Sequence, residues 1–327
     1  MGLKRFFRKV RRLGFDGIFQ RLDEVYQRLE QIENNPHPTS STSTLMLQVG
    51  DLQSRAVKAL PDRVPIAEAE FKVFSQFGDD GIIQYLFSRI PAIDTFVEFG
   101  VEDYSEANTR FLLEHDNWRG LILDGRPDLE ECLLRRHLPY LHDLTAISAF
   151  ITAENIDNLL QCAGFAGEIG LLSIDIDGND YWVWKAITVI RPQVVVVEYN
   201  AIFGPQLAVT TPYRSDFQRG SAHHSWLYFG ASLTALRCLA DEKGYTFVGC
   251  TSAGNNAYFV REDLAAPFHK PPPGKGYVNS RFRESRAKDG SMDRLGDPDR
   301  MNAIEHLPVV NINTGETLPL RDLWGKV

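Results

Sequence analysis

Carboxylates close four separate apolar runs of this chain. Glu98 lies in Thr95-Phe-Val-Glu-Phe99 and precedes Gly100, and Asp124 ends Leu121-Ile-Leu-Asp. Asp175 and Asp177 follow Leu171-Leu-Ser-Ile174, and Glu198 follows Val194–Val197, with Asn200 two positions on. Acids gathered at one place repel one another unless a cation or a polar ligand lies among them. A site built this way would hold a metal ion, a positively charged organic ligand, or both. His223 and His224, in a polar stretch after the four valines, add candidate general bases near neutral pH.

The elements that carry these residues alternate between strand and helix patterns. Strands are expected at 95–99, 121–123, 144–148, 171–174 and 194–197. Helices are expected between them, over about 106–114, 128–137, 153–163 and 180–190. A further helix over 230–243 would end at Gly244, a residue suited to a helix C-cap. Two strands close together, Tyr245–Val248 and Ala257–Val260, follow. Near-continuous apolar strands alternating with helices predict an α/β fold with a doubly wound, mostly parallel sheet, and the final close pair predicts one antiparallel strand at the end. In such sheets the ligand lies beyond the carboxyl ends of the strands, which is where the acids fall.

The loop after the first strand narrows the choice of ligand. A dinucleotide fingerprint needs three glycines, whereas only Gly100 is present, with Glu102, Asp103 and Ser105 where later glycines would fall. Acids there would repel a pyrophosphate. Asp124, 26 residues beyond Glu98, suits a ribose diol. A nucleoside without phosphate and with positive charge meets both conditions, and S-adenosylmethionine is such a molecule.

Residues 75–82 (Ser-Gln-Phe-Gly-Asp-Asp-Gly-Ile), Phe96–Gly100, Asn108-Thr109-Arg110 and Trp118–Asp124 resemble class I S-adenosylmethionine-dependent methyltransferases of the FkbM type, which have a Rossmann-like fold. Ser173–Gly178 together with Glu198-Tyr199-Asn200 is also similar to metal-dependent sugar O-methyltransferases of the macrocin type. The resemblance spans roughly 71–262. It implies that Glu98 and Gly100 contact the methionine part of the cofactor, that Asp124 binds its ribose, and that Ser75, Gln76 and Asp80 help close its pocket. It also implies that Asp177, Glu198 and Asn200 hold a divalent cation, most plausibly Mg²⁺, with Asp175 facing the sulfonium. His223 or His224 would be the base, and a sugar or glycan of a surface polysaccharide would be the acceptor. Two other readings remain open. Asp175-x-Asp177 also suits a metal-dependent glycosyltransferase using a nucleotide sugar, and the body could be a non-catalytic methyltransferase-like binding module.

The 327 residues include 35 Lys and Arg against 43 Asp and Glu, a formal net charge of −8 that weighs against nucleic-acid binding. Four cysteines without a close pair read as reduced thiols, and no apolar run is long enough to span a membrane, so a cytoplasmic protein is expected. Residues 1–34 read as a basic amphipathic helix with a heptad seam (Phe15, Ile18, Leu22, Val25, Leu29, Ile32), residues 35–70 as linker and lead-in, 71–264 as the α/β domain, and 265–327 as an accessory tail. Residues 1–15 are expected to touch the inner membrane face, and residues 15–32 to pair copies of the chain, unless the helix simply packs on its own domain.

Overall fold

The computed structural model describes residues 40–272 and 274–323. The amino-terminal basic and heptad segment, with its membrane and self-association readings, lies outside them. Along the chain the elements are α1 (Ser40–Lys58), α2 (Asp79–Phe87), β1 (Thr95–Phe99), α3 (Arg110–Glu114), β2 (Arg119–Asp124), α4 (Leu129–Arg135), α5 (Leu138–Leu141), β3 (Leu144–Ser148) and α6 (Ile156–Cys162). They continue with β4 (Gly167–Ile174), α7 (Asp180–Ala186), β5 (Ile190–Glu198), β6 (Val209–Thr210), α8 (Arg219–Ala222), α9 (Leu233–Lys243), β7 (Tyr245–Cys250) and β8 (Asn256–Arg261). The tail adds α10 (Asp299–Ile304), β9 (Pro308–Asn311) and β10 (Thr317–Pro319).

Seven strands form one sheet in the order β3-β2-β1-β4-β5-β8-β7. The first five are parallel neighbours, whereas β8 runs antiparallel to both β5 and β7. This is the α/β, Rossmann-like architecture expected. The antiparallel strand, last of the sheet in chain order, slots between β5 and β7, so β7 forms the edge. Strand periodicity sorts the core into two faces. Phe96, Ile122, Leu171, Val194 and Val196 pack on one side, and Val97, Leu123, Leu172, Val195 and Val197 on the other. By the same period of two, Glu98, Asp124, Asp175 and Glu198 continue the face that carries Phe96, Ile122, Leu171 and Val196. The order of the strands reverses between β1 and β4, which opens a crevice there.

Several boundaries differ from the expected ones for local reasons. The Pro/Ser/Thr stretch 35–44 reads as linker, yet its last residues begin α1 at Ser40; Leu45, Ala56 and Val57 of that helix are buried. The helix expected from 106 starts at Arg110, because the backbone amides of Asn108 and Thr109 bond to Glu98. The helix expected over 128–137 breaks where His137 adopts φ 59°. The one expected over 180–190 stops at Ala186, with Ile187 extended and Ile190 already in β5. The helix expected from 230 starts at Leu233, where Ser232 Oγ caps it by accepting from Ala235 N at 3.1 Å. Gly244 ends it in the left-handed region (φ 79°, ψ 38°), as its position predicts.

The tail builds a second, three-stranded sheet, β10-β9-β6, with the segment after β5. A third apolar cluster supports it, joining Ile202, Phe203 and Phe217 to Met301, Ile304 and Val309. The tail therefore packs on the loop region that follows β5, beside the crevice.

Candidate active site

A cavity of about 520 Å³ opens beyond the carboxyl ends of β1, β2, β4 and β5. Glu98, Gly100, Asp124, Asp175, Asp177 and Glu198 all line it. Its floor is shaped by backbone contact. Gly100 has φ +73°, and a Cβ there would stand 1.5 Å from the carbonyl oxygen of Asp175. Gly100 is thus required by a close approach of the chain to the end of β4, at the edge of the cavity. Glu102, Asp177 and Trp226, which also line it, hold φ values of 48°, 55° and 61°. Left-handed backbone at non-glycine residues costs of order 1–3 kcal/mol and concentrates where a site requires it.

Asp175, Asp177 and Glu198 bring one carboxylate oxygen each within 4.8 Å of the others. Burial, then the charge of Asp177, pushes the Asp175 carboxyl well above its ordinary value, and burial, then Asp175, does the same to Glu198. Glu198 Oε2 is buried without a hydrogen-bond partner. An all-oxygen donor set with an orphaned anionic atom fits a hard divalent cation. Asp177 is the exposed member, at 57%, and pairs with Arg219 at 2.6 Å. Arg219 is itself held by Trp226 O at 2.6 Å and lies 4.0 Å over the Phe229 ring. In the cation-free protein this guanidinium offsets part of the acid charge.

Asn200, expected as the third metal ligand, lines the cavity and bonds to the chain around it. Its Oδ1 accepts from Ile202 N at 3.0 Å, and its Nδ2 donates to Leu227 O and Phe229 O at 2.9 and 3.0 Å. It fastens the chain after β5, and Asp175 joins Asp177 and Glu198 in the oxygen cluster. His223 and His224 are corrected, since neither lines the cavity. His223 Nδ1 pairs with Ser225 Oγ at 2.8 Å, and its ring lies 4.1 Å from His224 and 5.8 Å from His306. Burial, then the neighbouring histidines, lowers its pKa.

Glu98 is nearly enclosed. Its carboxylate accepts from the amides of Asn108 and Thr109 at 2.9 and 3.1 Å and from Thr109 Oγ1 at 2.5 Å. Burial pushes its pKa up to about 7 against those bonds. It therefore anchors the loop that follows β1 while facing the cavity. Asp124 is more open and accepts from Glu102 N at 2.7 Å and Arg126 N at 2.8 Å. Phe150 and Ile151, at the end of β3, continue the wall beside it.

Among Ser75, Gln76 and Asp80, only Gln76 reaches the cavity. Ser75 and Asp80 are corrected from pocket residues to a buried turn clasp. Asp80 Oδ2 accepts from the amides of Val73, Phe74 and Ser75 at 2.7, 2.8 and 2.9 Å, and from Ser75 Oγ at 2.9 Å. Replacing it by alanine strands several buried donors at once, each worth about 1–3 kcal/mol. Asp80→Ala is expected to lose about 3–5 kcal/mol of stability in urea unfolding, with no change in ligand affinity for the protein that remains folded.

Sequence reasoning missed Phe150, Ile151, Arg219, Trp226, Phe282, Glu284 and Arg300, which line the same cavity. Phe150 and Ile151 follow an expected strand and so occupy a readable position. The others come from the segment after β5 and from the tail, whose placement depends on the third apolar cluster. Phe77 and Phe282 meet edge to face at 6.5 Å, joining the segment before α2 to the tail at the cavity.

Comparison with solved structures finds low-identity likenesses. The N-terminal domain of EvdMO1 with SAH bound is 10% identical, with 65% of this chain and 94% of that chain covered and a TM-score of 0.37. An O-methyltransferase family protein from Burkholderia thailandensis is 12% identical over 81% of this chain and 71% of that one, with a TM-score of 0.33. The O-methyltransferase from Bacillus cereus in complex with SAH is 16% identical over 71% and 96%, with a TM-score of 0.35. No protein-family model matches the sequence, and neither does any curated protein.

Proposed function

We propose that this chain is a methyltransferase that moves the methyl group of S-adenosylmethionine to a hydroxyl oxygen of a sugar or glycan, assisted by a divalent cation such as Mg²⁺. The carrying observation is the cavity in which a polar wall at Asp124 and an oxygen cluster at Asp175, Asp177 and Glu198 stand together. The acidic loop and lone Gly100 favour a cationic nucleoside over a pyrophosphate.

When bound, S-adenosylmethionine supplies an activated methyl group, and a divalent cation lowers the pKa of a hydroxyl that touches it. The residues of the chain do the rest. Asp124 keeps lone pairs for the ribose hydroxyls, and Phe150 and Ile151 give the base an apolar wall. Asp175, Asp177 and Glu198 would hold the cation. Asp177, the exposed carboxylate of the three, would form the solvent-facing side of that cation site. With donor and acceptor bound, the acceptor oxygen would bond to the methyl carbon as the carbon–sulfur bond breaks, the sulfur keeping that electron pair. Such a displacement depends mostly on alignment, which the cavity walls provide.

Ligand binding to the native state raises its apparent stability, so thermal shift with S-adenosylhomocysteine, UDP and GDP, each with and without Mg²⁺ or Mn²⁺, tests the reading. A shift by S-adenosylhomocysteine supports it, and a shift by a nucleoside diphosphate alone replaces it with glycosyl transfer. Binding without turnover over a broad panel of sugar acceptors would instead favour a binding module. Asp124→Ala is expected to weaken S-adenosylhomocysteine about 10–100-fold in calorimetry, the loss of two charge-assisted hydrogen bonds. Unchanged affinity would remove the ribose assignment.

A further inference from the structure

Arg300 is a cavity residue whose chemistry the methyl-transfer reading leaves unused. It sits on α10, is 5% exposed and lines the cavity. Its Nε is buried without a partner, and its guanidinium forms no ion pair among the described residues. Charge effects on it come from Asp297, which favours the charged form, and from Arg283 and Arg219, which oppose it. Asp297, the one acid among them, bonds through Oδ2 to Asn279 Nδ2 at 2.7 Å. Arg219 is engaged with Asp177 at 2.6 Å, and Arg283 Nη1 reaches only Leu295 O, at 3.5 Å.

Arginine stays charged at neutral pH even where burial lowers its pKa, as it does here. A buried guanidinium without a contact ion pair or a hydrogen-bond partner at Nε is destabilising, so it persists where something else requires it. Its placement is firm, because the next residue, Met301, and Ile304 pack with Ile202 and Phe203 in the third apolar cluster. A guanidinium fixed on a cavity wall with free donors matches the planar, two-oxygen edge of a carboxylate or a phosphate.

We propose that Arg300 anchors an oxyanion subsite in this cavity and binds a carboxylate or phosphate carried by the acceptor. The tail then contributes directly to acceptor choice. This deepens the methyl-transfer reading and rests on it only in assigning the anion to the acceptor.

The test uses the full chain and three probes that differ only at C6: methyl β-glucuronoside, methyl β-glucoside 6-phosphate and the neutral methyl β-glucoside. Each is titrated by calorimetry with and without S-adenosylhomocysteine and Mg²⁺. At least one anionic probe is expected to bind about tenfold tighter than the neutral one or more, and whichever of the two is preferred identifies carboxylate or phosphate. In Arg300→Gln that preference should fall to about twofold or less, with S-adenosylhomocysteine affinity unchanged. Equal or undetectable binding of all three probes overturns the subsite, as does a preference that survives Arg300→Gln. Should S-adenosylhomocysteine not bind while the Arg300-dependent preference persists, the methyl-transfer reading fails and the subsite stands. Folding is checked with Arg300→Met, whose ligand-free Tm is expected at or above that of the parent. A fall of more than about 5 °C would make the guanidinium a structural element and overturn the proposal.

Discussion

Glu198→Gln is expected to separate cation binding from folding. The substitution keeps shape and removes one of three mutually repelling carboxylates, including the buried Oε2 that has no partner. In the ligand-free protein the remaining acids repel less, and Arg219 still pairs with Asp177, so thermal stability should hold or rise. Divalent affinity should fall about 100-fold, since a hard cation prefers charged oxygen and two acids remain. Cation-stimulated methyl transfer should fall by a similar factor or more. Calorimetric titration with Mg²⁺ or Mn²⁺, paired with a melting curve, reads both effects. Retained affinity would show that the oxygen cluster is not a metal site, whereas a large drop in Tm would show that Glu198 is needed for folding.

The second large effect is expected at Gly100. A methyl group there would stand 1.5 Å from the Asp175 carbonyl oxygen on a backbone with φ +73°. Both obstacles lie in the main chain, which cannot move aside as a flexible side chain can. Gly100→Ala should therefore lose more than about 4 kcal/mol, the range in which single substitutions disrupt folding. Any folded fraction should show Asp175 displaced and a weakened cation site. Gly125 provides the control. It lines the same cavity, and its nearest neighbour to an added Cβ is Phe150 Cδ2 at 3.6 Å, an ordinary contact. Gly125→Ala should stay within about 0.5 kcal/mol. Urea unfolding of the two variants reads the contrast, and similar losses would mean that the crossing of the chain between β1 and β4 does not constrain Gly100.

Much of the site that surrounds this crossing is legible in the amino-acid sequence. Strands pack with a period of two, and Phe96, Leu171 and Val196 are buried on one face. Glu98 and Glu198 must continue that face at the strand ends, and Asp175 follows at the next such position. Local chemistry likewise sets the end of α9 at Gly244 and the acid-rich turn after β1. Asn200 and Asp80 show where the same reasoning fails. Both are polar residues near a predicted site, and both bond to main-chain groups whose positions depend on how loops fold back. A carboxylate that faces a cavity and one that clasps a turn look alike in a sequence.

The amino-acid order alone determined the α/β class, the strands that end in acids, and the face those acids share, because hydrophobic alternation and turn residues act over a few positions. Only the tertiary structure decided that Asp175 joins Asp177 and Glu198 in one oxygen cluster, that His223 and His224 stay off the cavity wall, and that Arg219 and Arg300 enter it. Those outcomes depend on contacts such as Ile202 with Met301 and Phe77 with Phe282. Packing partners so far apart along the chain leave no periodic trace in it, and their free energy is realised only when the whole core forms.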